Sequence, residues 1–255
     1  SARIRRAGGG EMPLPPWQTA CLQAGDVLQI GAVSRGVAYL AVAGGFNTPP
    51  QLGSRATYTP ARIGGLDGRA LASGDWLPAA PCRDEGERIA PPWQHETGAI
   101  RIILGPQDDA FSAEAIAAFL AGRYTVTRDC DRMGMRLHGP ALPHANATIS
   151  DGVAPGAIQI AGDGQPIILL TDCQTGGGYP KIATVISADL PRLAQCPPGS
   201  EISFFTVDLE KAAKISVDRK SAWASWQQSI RPLRNEPWLD EVALYGGNLI
   251  SGVVF

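Results

Sequence analysis

Between Gly156 and Leu190 the chain concentrates side chains that can do chemistry. Gln174, Tyr179 and Lys181 fall around the run Gly176, Gly177 and Gly178, between two strand-like apolar segments, and Gln159 lies upstream of it. Glycine tolerates positive φ, so such a run can turn backbone N–H groups towards a carboxylate, a phosphate or a developing oxyanion. A tight bend in a barrel wall needs the same glycines, and the residues alone leave both readings open. Lys181 follows Tyr179-Pro180, and its ammonium is suited to polarising an amide or carboxyl oxygen; a solvated lysine at a strand start is the competing reading. Gln159 interrupts an apolar strand (Ala157, Ile158, Ile160), so its amide either faces a pocket or sits on the wet side of an alternating strand. A second candidate is Asp131-Arg132 ahead of Gly134. Arg132 can offer a guanidinium fork to a carboxylate or a ureido carbonyl, or the Asp-Arg pair can pin a turn.

Other chemistries are excluded by pattern. His95, His138 and His144 lack ligand spacing, and the five cysteines are odd in number, scattered and without a CxxC pair. Neither a zinc site nor a disulfide framework is expected, and a reducing cytoplasm fits. There is no GxSxG, Walker A or GxGxxG segment, which argues against a serine nucleophile and a phosphate loop. With 22 basic and 24 acidic residues the net charge is −2, which gives no footprint for nucleic acid or an anionic membrane. No apolar run approaches the roughly 20 residues that span a bilayer.

The scaffold that positions these groups reads as mainly β. Thirty glycines and twenty-one prolines break the chain at short intervals, favouring many short strands in a barrel or sandwich over long helices. Strands are expected at 26–30, at the apolar run 36–42 as a buried or half-buried strand, and in glycine-punctuated form from Leu52 to Leu77. The charged, proline-rich stretch from Pro81 to Gly98 reads as a linker. A strand at 100–104 then leads to a helix with Ser112 as N-cap, Glu114 in its first turn and Gly122 past its end. Further strands are expected at 124–127 and 202–207, a short helix after Asp208, a second from Arg219 to Ile230, and a strand at 249–255.

Longer motifs carry a family likeness. DRMGMRLHGP (131–140), GVAPGAIQIAGDGQPIILLTD (152–172), QTGGGYPKIATVI (174–186), LGSRATY (52–58) and GGLDGRAL (64–71) together resemble the biotin-dependent carboxyltransferase family, which takes in allophanate hydrolase subunit 2 and the C subunit of 5-oxoprolinase. Within the central motif, Cys173 stands where the family usually has arginine, and Gly176 where it has threonine. The resemblance implies a mainly β chain of two cyclophilin-like β-barrel subdomains with few short helices. The first would cover 1–90, shortened by an N-terminal section that family members carry; 91–98 would link it to the second at 99–255.

It also implies a cytoplasmic subunit of an ATP-dependent 5-oxoprolinase, which opens 5-oxoproline to glutamate. Its partners would be a sister subunit of allophanate hydrolase subunit 1 type and a lactam-utilisation subunit, and its substrate a small amide or lactam. ATP would be used by the assembled complex. A biotin-dependent carboxyltransferase of urea carboxylase type, with biotin on a separate carrier, is an alternative, and a non-catalytic regulatory subunit is another. On the first reading Lys181, Tyr179 and Arg132 do the catalysis, while Gln174, Gly176, Gly177, Gly178, Gln159 and Asp131 bind substrate.

Overall fold

The computed structural model describes residues 2–33, 36–80, 86–144 and 149–233, and resolves two compact units, 1–37 with 87–255, and 38–86. In the larger unit, β1 (Ala2–Arg5) is flanked by β2 (Glu11–Leu14) and β3 (Val27–Ile30), both antiparallel to it. Asp26 leads into β3, accepting hydrogen bonds from the N–H groups of Gln23 and Ala7 and from Arg6. These bonds, led by those from Gln23 and Ala7, hold its carboxyl down to about 2. The short strand β4 (Arg88–Ile89) follows.

The centre of this unit is a nearly closed barrel. Its strands are β5 (Ile100–Leu104), β6 (Tyr124–Cys130), β7 (Gly134–His138), β9 (Ala157–Ile160), β10 (Pro166–Leu169), β12 (Lys181–Val185), β13 (Glu201–Ile202) and β14 (Phe204–Thr206), while β8 (Asp151–Gly152) and β11 (Gly176–Gly177) pair separately as a small ribbon. The sheet order is β13-β6-β7-β10-β9-β12-β5-β14. Its two outermost strands are consecutive in sequence, separated by Ser203 alone, so the sheet has curled until its edges meet. Strand alternation fills the interior: Ile102, Val126, Leu137, Ile158, Ile168 and Ile182 are all fully or almost fully buried.

Helix α1 (Ala113–Ala121) crosses over the barrel after β5. Ser112 caps it as expected, its hydroxyl accepting from the Ala115 N–H at 3.2 Å, and Phe119 stacks on Phe204 at 4.7 Å between ring centroids. Helix α2 (Leu190–Leu193) is a single turn anchored by Asp189. That carboxylate is fully buried. It accepts from the Arg101 backbone N–H at 2.8 Å, from Arg101 Nη2 at 2.5 Å and from Arg192 Nη1 at 2.9 Å. Burial pushes its pKa up, but the bonds from Arg101 and the charges of Arg192 and Arg101 outweigh this and leave it below the ordinary carboxylate range.

Three expectations change. First, the helices expected after Asp208 and from Arg219 are one: α3 runs over Leu209–Gln228 for 20 residues, with Asp208 accepting from the Lys211 N–H at 2.7 Å. Only Ala212 of this helix is buried, so it lacks the apolar stripe that would have marked it as continuous. Second, the apolar run 36–42 is not a strand. Val37, Tyr39 and Leu40 are 50, 90 and 52% exposed, and no ladder forms there among the described residues. Third, the stretch 91–98 carries packing contacts. Trp93 meets Trp223 and Trp226 of α3 edge to face, Trp226 Nε1 donates to the Pro91 carbonyl at 2.8 Å, and Arg192 donates to the Gly98 carbonyl at 2.6 Å. Strand β15 (Arg231–Pro232) then returns to pair with β4. The strand expected at 249–255 lies outside the described residues.

The smaller unit has isolated bridges, at Phe46–Ala79, Gln51–Ser54 and Tyr58–Ile63, around a short 3-10 turn over Thr59–Ala61. Gly64 and Gly68 adopt φ of +75° and +63° against the Ala56 and Arg62 carbonyls, which leaves no room for a side chain. Arg69 closes the unit's last turn with a two-pronged contact to Asp75, both bonds 2.8 Å long.

Candidate functional site

The site is built on the outside of the barrel wall. Arg136 on β7 stands opposite Ile167 on β10, Ile167 opposite Gln159 on β9, and Gln159 opposite Lys181 on β12. Because Met135, Leu137, Ile158, Ile160, Ile168 and Ile182 turn into the core, their neighbours in this row must face outwards. Gln159 and Lys181 are nevertheless only 2% exposed. What covers them is the ribbon of β8 and β11 together with the segment leading to Tyr179.

Lys181 is the tether of that roof. Its Nζ donates to Asp151 Oδ2 at 2.8 Å and to the Gly152 carbonyl at 3.0 Å, joining β12 to β8. β8 in turn pairs with β11, Gly152 opposite Gly176 and Asp151 opposite Gly177. The Lys181 side chain is 3% exposed and that of Asp151 60%, so the pair is a buried cation reaching a solvated carboxylate. The hydrogen bond from Lys181, then that from the Gly152 N–H, then the ammonium charge hold the Asp151 carboxyl below its ordinary value. Gln107 fixes the other side of Lys181, its Oε1 accepting from the Lys181 N–H at 3.0 Å.

The glycines act differently from the sequence expectation. Gly176, Gly177 and Gly178 are not in the left-handed region; Gly176 and Gly177 are paired strand. Gly177 is required by close approach instead. A Cβ there would lie 2.7 Å from Gln159 Nε2, which donates to the Tyr179 carbonyl at 3.3 Å.

Beside the row lies an open cleft of about 470 Å³. Of the residues singled out from sequence, Asp131, Gln159, Gln174 and Tyr179 line it. Lys181 sits one strand behind Gln159, and Arg132 is turned to Asp172, with Nε to Oδ2 2.8 Å and Nη2 to Oδ1 3.1 Å. Asp131 shapes the β6–β7 turn, its Oδ1 accepting from the Met133 and Gly134 N–H groups at 2.8 and 3.0 Å. Arg128, Asp129 and Arg136 also line the cleft, and Asp151 completes the lysine pair. Sequence reasoning passed over all four. The alternation Met135-Arg136-Leu137 marks Arg136 as outward-facing, but no local signal ties Asp151 to a lysine thirty positions away.

A carboxyltransferase domain, subdomain A and B, matches residues 3–206 of this fold. The chain belongs to that family. It is 38% identical over 203 residues to the C subunit of 5-oxoprolinase from Escherichia coli, covering 78% of this chain and 66% of that protein. It is also 38% identical to the C subunit of 5-oxoprolinase from Haemophilus influenzae, over 76% of this chain and 64% of that one. The chain thus spans about two thirds of the length of these relatives. Among solved structures it is similar to the K. lactis urea amidolyase, with a TM-score of 0.76 and 25% identity over 92% of this chain and 17% of that one.

Proposed function

We propose that the chain is a subunit of an ATP-dependent 5-oxoprolinase that opens 5-oxoproline to glutamate, working with a sister subunit of allophanate hydrolase subunit 1 type and a lactam-utilisation subunit. The observation that carries this reading is the cleft itself. Gln159, Gln174 and Tyr179 line it together, next to the buried Lys181. An amide offers a donor and an acceptor side by side and is complementary to a lactam N–C=O group. Among the described residues nothing hydrogen-bonds Gln159 Oε1, which leaves an acceptor for the lactam N–H.

In this reading Gln174 and Tyr179 orient the ring and donate to its carbonyl. Lys181 is a positioning residue: it holds the β8–β11 roof and places positive charge beside the carbonyl as negative charge grows there. The cleft groups are amides, a phenol and charged tips suited to a small amide, so ATP is assigned to the partner subunits, where it would supply activation of the amide.

A carboxyltransferase acting on urea, with biotin on a separate carrier, is the second reading, favoured by the similarity to urea amidolyase over 92% of the chain. Co-expression with the neighbouring subunits and an assay of ATP-dependent glutamate release from 5-oxoproline separates the two. Release of glutamate supports the first; carboxylation of urea without glutamate release replaces it with the second.

A further inference from the structure

We infer that Arg128 and Arg136 form a carboxylate-binding subsite in this cleft, so that its ligand is an amide carrying its own carboxylate and not a neutral amide such as urea. The inference rests on the 5-oxoproline reading above and adds the residues that hold the ligand's carboxylate.

Strand register places the two side chains. β6 pairs with β7 at Val126 opposite Leu137 and again at Cys130 opposite Met135. Between those points β7 has one residue, Arg136, whereas β6 has Thr127, Arg128 and Asp129. The resulting bulge lies across from Arg136, and Arg128 at its centre and Arg136 both line the cleft. Bulges re-aim side chains, and this one brings two like charges to one wall, an arrangement that favours an anion between them.

Among the described residues neither guanidinium is otherwise committed. Among the described residues no carboxylate lies within ion-pair distance of Arg128 or Arg136, whereas the adjacent Arg132 is held by Asp172. Two carboxylates share the lining. Asp131 is bound by the N–H groups of its own turn, and Asp129 lies in the bulge, its N–H donating to Thr127 Oγ1. Planar guanidinium forks recognise carboxylates through paired hydrogen bonds, and two forks on one wall favour a ligand that carries the charge over one that lacks it. Gln159 lies two strands from Arg136 along the same row, with only Ile167 between them, so an amide at one end and a carboxylate at the other fit a compact ring that carries both.

Calorimetric titration of the protein, assembled with its co-expressed partner subunits, tests this with 5-oxoproline, with 2-pyrrolidinone (the same lactam without the carboxylate) and with urea. The expected result is that 5-oxoproline binds at least about 30-fold more tightly than 2-pyrrolidinone. The Arg128→Gln/Arg136→Gln variant removes most of that preference and leaves 2-pyrrolidinone binding unchanged, and Arg136→Lys, which keeps the charge without the fork, falls between. Both arginines are exposed, and thermal unfolding checks that each variant is folded. Equal affinity of the wild-type protein for the two lactams overturns the carboxylate subsite and leaves the amide reading standing. Undiminished 5-oxoproline binding by the double variant also overturns it. Failure of all three compounds to bind the wild-type complex overturns the amide reading, and the inference with it.

Discussion

Replacing Lys181 by Met keeps the volume of the buried side chain and removes its charge. Gln159 and Lys181 are directly opposed on adjacent strands, which sets their Cβ atoms about 5 Å apart, and the ligand is expected on the far side of the Gln159 amide. At a separation of about 6 Å and an effective dielectric of about 20, an ammonium and a developing oxyanion attract by about 3 kcal/mol. Loss of that term slows turnover ~100-fold. Fold stability should change far less, because the orphaned Asp151 is 60% exposed and remains hydrated. The unfolding midpoint is therefore expected within about 3 °C of wild type. The assay is steady-state glutamate release by the assembled complex, with kcat and KM resolved, beside a melting curve. Lys181→Arg should recover part of kcat, which a space-filling role alone does not predict. A further readout is the Asp151 titration. Lys181 holds that carboxyl low, so the Met variant should move its titration upwards, visible by NMR. Near-normal kcat with intact assembly, or a collapse in stability matching the loss of activity, would refute the reasoning.

Two further variants probe the scaffold. Gly177→Ala places a Cβ 2.7 Å from Gln159 Nε2 and should swing that amide off the Tyr179 carbonyl, raising KM for 5-oxoproline about 10-fold with kcat less affected; an unchanged KM would show that Gln159 orientation does not matter. Asp189→Asn leaves the Arg101 and Arg192 guanidiniums without their shared buried carboxylate, at a cost of about 3 kcal/mol or about 6–12 °C in melting temperature at neutral pH. Because the folded-state pKa of Asp189 is depressed, its contribution is fully present above the ordinary carboxylate range and fades as the pH falls through its folded value. The gap between variant and wild type should therefore close in acid, and a gap that persists there would contradict the assignment.

Local chemistry was legible in the sequence. Ser112 is a cap because its hydroxyl meets an N–H three residues on. Strand positions with alternating burial could likewise be read from apolar spacing, as at Tyr124–Cys130. The continuous α3 escaped detection for the same reason: a helix packed through so few residues leaves no stripe to read. The run 36–42 misled in the opposite sense, being apolar but without a neighbouring strand among the described residues to complete a ladder.

The sequence determined by itself that the glycine-rich stretch around Gln159, Gln174, Tyr179 and Lys181 is where chemistry is concentrated, and that the chain is β-rich. Only the tertiary structure decided which of those groups meet. The row from Arg136 through Ile167 and Gln159 to Lys181 takes one residue from each of four strands, and each step is set by backbone pairing between segments far apart in the chain. A one-residue slip in any pair would turn a member of the row into the core. The same non-local pairing joins Lys181 to Asp151, turns Arg132 away to Asp172, and brings Arg128 and Arg136 to one cleft.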